Sequence, residues 1–412
     1  MAAAPVPGAL AGIRILDLSR VLAGPWASQT LGDLGAEVIK VERPGTGDDT
    51  RLWGPPYLKD REGRDTRDAA YYLCANRNKK SVAIDFTKPA GQQLVRDLAL
   101  HCDVLVENFK VGGLKQYGLD YESLQAINPR LVYCSITGFG QDGPYAHRAG
   151  YDFLMQGMGG LMSITGRPDG EEGAGPMKVG VALTDILTGL YASTAILAAL
   201  QARERTGAGQ QIDLALLDVQ VACLANQSMN HLYGQAPRRM GNAHPNTVPY
   251  QDFPTADGYM ILAIGNDGQF ASFCRAVGKP EWSQDERFRT NTGRVQHRAT
   301  LIPLMKQITV TRGTKEWIAL FEQVGVPCGP INTIADVFDD PQVRHRGDRV
   351  EMTHPVAGDI PLVASPIRLS ATPVQYRAAP PTLGQDTQAV LRETLGLPED
   401  SIRAMTEEGI LQ

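Results

Sequence analysis

Short apolar runs rich in β-branched residues alternate with amphipathic stretches through the first half of the chain. Segment 87–101 has the pattern of a helix, with Thr87 as the expected N-cap, Pro89 in the first turn and apolar Leu94 and Leu98 further on. Alternation of this kind predicts an α/β fold, with a mostly parallel sheet covered by helices. The runs predicted as strands are Ile13–Leu18, Glu37–Glu42, Ser81–Phe86, Asp103–Asn108 and Leu131–Ile136.

Two segments are predicted to lie outside regular secondary structure, and further strands and helices are expected after the second. Residues 44–67 are rich in Gly, Pro and charge and are predicted as a long loop, while the Pro- and Gly-rich segment 235–253 is predicted as a domain boundary. Beyond it we expect a strand and a helix in 258–278, a helix, turn and helix in 314–340, and a β-hairpin in 348–370.

One apolar stretch, Val179–Leu200, carries a single carboxylate, Asp185. A buried charge is costly unless it is paired or hydrogen-bonded, so this residue either caps a helix or reacts. Asp is a common residue at helix N-termini, and the spacing alone favours capping. The two roles are compatible, because a carboxylate near a helix N-terminus is expected to stay ionised when shielded from water and to act as a nucleophile. The small residues Gly180, Ala182 and Gly189 leave room for a substrate carbonyl.

Composition and charge narrow the functional classes. A chain of 412 residues predicts two or three domains, and a net charge of −5 gives no general footprint for nucleic acid or an anionic membrane. The six cysteines form no CxxC pair, which predicts reduced thiols, mostly in the core, and no zinc site. The N-terminal segment lacks a signal-peptide pattern, and no uninterrupted apolar run reaches the length of a membrane span. We therefore expect a cytoplasmic protein.

Common catalytic motifs are missing from the sequence. The Gly-rich segment 156–166 lacks the GxGxxG spacing and follows no predicted strand, and there is no P-loop, HExxH or GxSxG pattern. Classical NAD binding and metal catalysis are disfavoured. A basic cluster at 76–81, with Arg43 and Arg51, either binds phosphates or lies in a solvated loop.

Six segments form a recognisable set along the chain: LDLSRVLAGP, NRNKKSVAIDF, VLVENFKVGG, AGYDFLMQGMGG, GVALTDILTG and GQQIDLALLDVQ. Together they resemble the family III CoA-transferases, and the resemblance runs from about Leu10 to about Leu395. The resemblance implies that Asp185 is the catalytic aspartate, which attacks an acyl-CoA thioester to give an aspartyl anhydride and then an aspartyl-CoA thioester. Coenzyme A takes part as substrate, and neither a prosthetic group nor a metal is expected.

The resemblance also implies a set of CoA-binding residues. Two positions depart from patterns in the family, because Thr87 stands where some members have lysine and Gln116 where arginine is frequent. Leu22 likewise replaces a glutamine found in some members. The implied CoA-binding residues are Arg43, Ile84, Thr87, Asn108, Lys110, Gln116, Arg148 and Tyr151.

The implied architecture is a Rossmann-like large domain with a smaller α+β domain, in a ring-shaped subunit that forms an interlocked homodimer. The expected ranges are 1–225 for the first part of the large domain, 226–330 for the small domain and 331–412 for a C-terminal segment that returns to the large domain.

The substrates are the remaining question. Racemases of the same family place a histidine where this chain has Tyr151, and a phenol is a poor base at neutral pH, so CoA transfer is favoured over racemisation. A non-catalytic acyl-CoA-binding protein is the alternative from another class. Segments 244–266 and 325–343 resemble a branch that uses dicarboxylates, which predicts succinyl-CoA as donor and an acceptor such as glutarate. Arg238, Arg239 and His244 either bind the distal carboxylate or are ordinary linker residues.

Overall fold

The computed structural model describes residues 7–412, which form two compact units. The first unit contains the described residues up to Leu161, together with Val179–Tyr233 and Arg346–Gln412, and the second contains Met162–Lys178 and Gly234–His345. These divisions differ from the expected boundaries at 225/226 and 330/331, because a helix continues to Leu232 before the Pro- and Gly-rich segment begins. The assignment of 162–178 to the second unit has no counterpart in the sequence pattern.

Strands and helices are numbered in chain order. The strands are β1 Arg14–Asp17, β2 Glu37–Glu42, β3 Tyr57–Lys59, β4 Asp65–Ala69, β5 Lys79–Ala83, β6 Val104–Glu107, β7 Val132–Thr137, β8 Gln211–Ala215, β9 Tyr250–Pro254, β10 Tyr259–Ala263, β11 Cys328–Pro330, β12 Arg349–His354 and β13 Gly358–Val363. The helices are α1 Ala23–Asp33, α2 Ala70–Leu73, α3 Pro89–Leu100, α4 Tyr121–Ile127, α5 Asp152–Met158, α6 Leu161–Ile164, α7 Leu183–Thr206, α8 Leu216–Cys223, α9 Ala225–Leu232, α10 Asp267–Ala276, α11 Asn291–Gln296, α12 Arg298–Thr309, α13 Thr314–Gln323, α14 Ile334–Asp339, α15 Pro341–Arg346, α16 Thr387–Leu395 and α17 Glu399–Glu407.

A six-stranded parallel sheet in the order β5-β2-β1-β6-β7-β8 forms the centre of the first unit. The α/β fold with a parallel sheet is therefore confirmed, and each of the five predicted strands contributes a strand to this sheet. The chain order reverses between β1 and β6. In open α/β sheets, ligands bind beyond the carboxyl ends of the strands at such a reversal.

Both faces of this sheet are buried, as expected for parallel strands covered by helices. Alternate residues of β1 point to opposite faces, so Leu16 packs with Leu94 and Leu98 of α3, whereas Ile15 packs with Ala27 of α1 and Ile196 of α7. The period-two alternation within each strand thus supplies two separate cores.

Helix α7 packs closely against α1 in the second of these cores. A Cβ atom at Gly189 would lie 2.7 Å from the carbonyl oxygen of Ala23, so only glycine permits this approach. By length and composition α7 could cross a membrane, and half of its most apolar stretch is buried in the protein. This helix departs from the expectation that no apolar run reaches the length of a membrane span.

The second unit has its own core. Strands β9, β10 and β11 form an antiparallel sheet that packs with Phe253, Phe273, Trp317 and Phe321. The predicted strand and helix of 258–278 are β10 and α10, and the predicted helices of 314–340 are α13 and α14. Strand β11 lies in the segment that was predicted as a turn, because its pairing partner β10 is distant in sequence.

The first unit departs from the sequence prediction at two further points. Segment 44–67 is not one long loop, since it contains a 3₁₀ helix at Asp49–Leu52 and a hairpin of β3 and β4. Helix α3 begins at Pro89 with Lys88 as its N-cap residue, while the Thr87 hydroxyl donates to the Asp85 carboxylate instead. The predicted C-terminal hairpin is confirmed as β12 and β13.

Buried charges lie beneath the carboxyl ends of β1 and β2. The Lys79 ammonium lies 3.2 Å from the Asp17 carboxylate, and the Lys40 ammonium lies 2.9 Å from that of Asp48; all four side chains are fully buried. Burial opposes ionisation of Asp17, but the charges of Lys79 and Lys40 lower its pKa to about 2. These charges remain buried because each has a partner of opposite sign.

Lys79→Met should lower the free energy of unfolding by about 3 kcal/mol, because it removes the cation nearest the buried Asp17 carboxylate. The neighbouring Lys80→Met is a matched control, since Lys80 is 41% exposed in its ion pair with Glu37 and its loss should cost less than about 1 kcal/mol. Urea unfolding of both variants measures the difference. Equal losses would contradict the structural role of the buried pair.

Candidate active site

A cavity of about 630 Å³ opens at the carboxyl edge of the parallel sheet, within the first unit. The segments that follow β1, β2, β5, β6 and β7 all line it, and Asp185 at the start of α7 lies in its wall. The reversal of strand order between β1 and β6 therefore creates the space that the topology predicts.

This cavity brings together the residues that the sequence resemblance singled out for coenzyme A. They come from five separate segments of the chain, so their meeting is a result of the fold. The cavity-lining residues among them are Arg43, Ile84, Thr87, Asn108, Lys110, Gln116, Arg148 and Tyr151, together with Asp185. Their individual contacts with coenzyme A stay a prediction.

Asp185 is the third residue of α7 and is 8% exposed. The N-cap residue of this helix is Ala182, whose side chain makes no capping hydrogen bond. No hydrogen bond to the Asp185 carboxylate is found among residues 7–412. Burial, and then the negative charge of Asp152, raises the pKa of Asp185 to about 7. Asp185 thus lies in the first turn of α7, but its carboxylate does not cap the helix, and burial opposes the ionised form that the helix terminus was expected to preserve.

Asp152, at the start of α5, makes the contacts that a cap would make. Its Oδ1 atom accepts hydrogen bonds from the backbone N–H groups of Thr184, at 2.7 Å, and Asp185, at 3.3 Å. Its Oδ2 atom accepts from the Gln156 side chain at 2.7 Å. A second carboxylate thus occupies the free amides at the start of α7 and lies beside the first.

Cationic side chains on the cavity wall provide partners for an anionic ligand. Arg20 donates to Asp49 at 2.8 Å and lies over the ring of Phe109, whereas the Arg148 guanidinium lies 4.7 Å from the ring centre of Tyr145. Sequence reasoning missed Arg20, although it lies within LDLSRVLAGP, one of the segments that carry the resemblance. Guanidinium groups bind phosphate oxygens through charge-assisted hydrogen bonds.

An aromatic cluster that sequence reasoning also missed lines one part of the cavity. Phe86 packs edge to face against Phe109 and Tyr117, with ring centres 5.9 and 5.6 Å apart. Phe86 follows β5, whereas Phe109 and Tyr117 follow β6, so the cluster is invisible in a linear pattern. It offers an apolar edge for a planar ring, and the cavity as a whole suits a ligand with phosphates, a ring and an acyl group near Asp185.

The basic cluster at 76–81 is neither a phosphate site nor a solvated loop. Arg77 binds the Asp33 carboxylate through two nitrogens, and Lys79 binds Asp17. Arg51 binds Glu42 and has its other nitrogen on Asp68. These three cations are therefore paired with carboxylates of the protein itself.

Arg238, Arg239 and His244 lie in the second unit. Arg238 is exposed, whereas Arg239 forms an ion pair with Asp169. Burial, and then the charge of Arg298, lowers the pKa of His244, so this imidazole is uncharged at neutral pH. The lowered pKa makes His244 a weaker candidate for a cationic partner than Arg238, and a role of either residue at an acceptor carboxylate stays a prediction.

The cysteines and metal-ligating residues add no second reactive centre. All six cysteines are free thiols, but Cys102, Cys134 and Cys274 alone are buried, which is fewer than expected. Within the described chain, no group of three or more His, Cys, Asp or Glu side chains is arranged to hold a metal.

Comparison with known proteins identifies the family to which the chain is similar. The sequence model of CoA-transferase family III matches residues 10–387. A succinate–glutarate CoA-transferase of Agrobacterium fabrum is 52% identical over 93% of this chain and 95% of its own, and a human succinyl-CoA:glutarate CoA-transferase is 46% identical over 98% and 90%. The crystal structure of a CaiB/BaiF family protein from Brucella suis is similar, with a TM-score of 0.82, 51% identity and coverage of 94% of this chain and 100% of that one.

The raised pKa of Asp185 makes a prediction about stability. A carboxyl group has a pKa near 3.9 in the unfolded chain, so the folded protein gains stability from the retained proton at low pH and loses it as pH rises through about 7. Asp185→Asn removes this dependence. Its melting curves should show a stability advantage over wild type that grows by about 2 kcal/mol between pH 5 and pH 8.

The exposed carboxylate Asp218, on α8, supplies the control. Asp218→Asn makes the same chemical change without removing a buried charge, and its stability relative to wild type should stay nearly constant with pH. A constant difference for Asp185→Asn as well would show that the folded protein does not perturb Asp185.

Proposed function

We infer that this chain, which belongs to CoA-transferase family III, uses Asp185 as the nucleophile that carries an acyl group and then coenzyme A between two carboxylic acids. The chain is a CoA-transferase. One observation supports this use of Asp185 above all: a buried carboxylate without a hydrogen-bond partner lies in the wall of a cavity rich in cationic and aromatic side chains.

The proposed reaction has four steps, each of which exchanges one activated acyl bond for another. An Asp185 oxygen attacks the thioester carbonyl carbon of the donor, the C–S bond breaks and coenzyme A leaves as a thiolate. This thiolate attacks the Asp185 carbonyl, which releases the donor acid and leaves an aspartyl-CoA thioester. The acceptor carboxylate displaces the thiolate from that thioester, and the thiolate then attacks the acceptor carbonyl and frees Asp185. No step requires a metal or prosthetic group.

Coenzyme A is proposed to bind in the cavity in one direction. Arg43, Lys110 and Arg148 are proposed to hold its phosphates, and the cluster of Phe86, Phe109 and Tyr117 to pack against the adenine ring. The pantetheine arm then runs toward the start of α7, where its thioester meets Asp185. Arg20 is added to the phosphate-binding set because it lines the same wall.

Succinyl-CoA is the proposed donor and glutarate the proposed acceptor. Two of the relatives described above are named for transfer between these acids, and each aligns with more than nine-tenths of this chain. Both acids carry a second carboxylate, which a cationic side chain would bind. Arg238 is proposed for that role, because its neighbour Arg239 is already paired with Asp169.

We also propose that the first unit is Rossmann-like and that the chain forms a homodimer. The parallel sheet has the strand order of dinucleotide-binding folds when its strands are counted among themselves. Large apolar side chains stay exposed at the end of α9, where Leu232 is 73% and Tyr233 83% exposed. Exposed patches of this kind mark protein interfaces, and a second copy of the chain, interlocked with the first, is proposed to cover them.

Asp185→Asn should reduce transfer from succinyl-CoA to glutarate by several orders of magnitude, because it removes the attacking oxygen without disturbing the helix. In the wild-type enzyme, hydroxylamine added with succinyl-CoA should convert Asp185 to a hydroxamate, which peptide mass spectrometry detects. Retained activity in Asp185→Asn, or a hydroxamate at another residue, would contradict the mechanism. Deuterium exchange into a 2-methylacyl-CoA without CoA transfer would instead support racemisation.

Arg238→Ala should raise the KM for glutarate about tenfold while changing the KM for butyrate little, because only the dicarboxylate loses a charged hydrogen bond. Arg289→Ala, which removes another exposed arginine of the second unit, is the matched control. Equal effects on the two acids would show that Arg238 does not recognise the distal carboxylate.

A further inference from the structure

Asp152 is close to the proposed nucleophile but has very different contacts. It accepts three hydrogen bonds, from the backbone of Thr184 and Asp185 and from the Gln156 side chain. The Asp185 carboxylate accepts none from the described residues. One of the two neighbouring carboxylates is therefore well stabilised, whereas the other is not.

The start of α7 explains this division. The N-terminal amides of a helix carry partial positive charge and stabilise a nearby anion. At α7 the anion that receives two of these amides is Asp152, which comes from α5. Asp185 belongs to the same turn, but its carboxylate gains no hydrogen bond from these amides and lies beside a second negative charge.

The other titratable groups around Asp185 do not offset that charge. Tyr71 on α2 faces it, and burial, followed by the charge of Asp185, raises the pKa of this phenol to about 12. The shift of the Asp185 pKa has burial and Asp152 as its causes. The elements that pack against α7 also carry titratable groups, namely Asp33 on α1, Tyr133 and Cys134 on β7, Asp213 on β8, and Asp218 and Cys223 on α8.

We propose that Asp152 is a positioning residue for the transfer reaction: its hydrogen bonds fix the first turn of α7, and its charge raises the energy of the resting Asp185 carboxylate. This role rests on the proposed function of Asp185 as nucleophile. When Asp185 attacks, its negative charge passes through the tetrahedral intermediate to the departing thiolate, and the new anhydride or thioester is neutral. Repulsion from Asp152 is then relieved, which favours the acylated state over the resting one.

Asp152→Asn tests the charge separately from the hydrogen bonds, because the asparagine oxygen can still accept from the amides of α7. Asp185 must be ionised to attack, so wild-type transfer should fall as pH decreases through about 7. In Asp152→Asn the acidic limb of kcat/KM should move to lower pH by about one unit, since one negative charge is gone. Above pH 8, its kcat should be lower and less Asp185 should be trapped as hydroxamate.

Two control variants are available. Asp152→Glu keeps the negative charge, and Asp218→Asn makes the same substitution at an exposed site. Neither should move the acidic limb of the pH profile of kcat/KM. An unchanged limb in Asp152→Asn, or the same movement in Asp218→Asn, would overturn the proposal. Wild-type trapping at Asp185 is scored separately, so a failure of the nucleophile assignment is distinguishable from a failure of the role of Asp152.

A measurement that needs no turnover covers variants with little activity. Two pairs of proteins differ only at Asp185: wild type with Asp185→Asn, and Asp152→Asn with the double variant Asp152→Asn, Asp185→Asn. The difference in the free energy of unfolding should change with pH at lower pH in the second pair than in the first. Asp152→Ser provides a second uncharged cap. If both uncharged variants fail to fold while Asp152→Glu folds, Asp152 is a structural residue and the proposal is wrong.

Discussion

Burial of charge at the carboxyl edge of the parallel sheet is the constraint on which the cavity depends. The Lys40 ammonium donates to the Ser19 carbonyl at 2.8 Å and lies 2.9 Å from Asp48, so it ties the segment after β1 to the segment after β2. Arg51 extends the same network to Glu42 on β2. These buried ion pairs hold in place the segments that carry Arg20 and Arg43. The guanidinium groups of these two residues therefore remain at the wall of the cavity.

Against this background of paired ions, two buried carboxylates lack a cationic partner among residues 7–412. Glu107 bonds to the Ser135 hydroxyl and accepts from the Phe109 amide at 2.7 Å, and burial raises its pKa to about 7. The pKa of Asp185 is also raised to about 7, but its carboxylate has no hydrogen bond from the described residues and lies in the cavity wall. Glu107 is therefore satisfied by hydrogen bonds within the protein, whereas the Asp185 carboxylate is left without a partner at a site that a ligand can reach.

The sequence predicted those features that repeat along the chain. Alternating runs located β1, β2, β5, β6 and β7. The recognised motif singled out Asp185, whose catalytic role stays a prediction. Features that depend on contacts between distant segments were missed: strand β11 needs β10, the ring of Phe86 meets Phe109, and the cations of 76–81 find carboxylates elsewhere. The helix-cap interpretation of Asp185 failed for the same reason, because the competing cap, Asp152, is supplied by another helix and has no local signature at α7.

Among residues 7–412 no cation lies beside the Asp185 carboxylate, which agrees with the proposed role of Asp185 as nucleophile. A lysine or arginine there would stabilise the resting carboxylate, lower its pKa and make the proposed attack on a thioester less favourable, since every proposed step exchanges bonds of similar energy and supplies no large driving force. In the proposed mechanism the repulsion between Asp152 and Asp185 raises the energy of the resting state instead, and both acylated states of Asp185 would be neutral. The destabilisation would then be confined to the free enzyme and relieved in each proposed covalent intermediate. A close packing of α7 against α1, which Gly189 permits, supplies the rigid support that such an unpaired group needs.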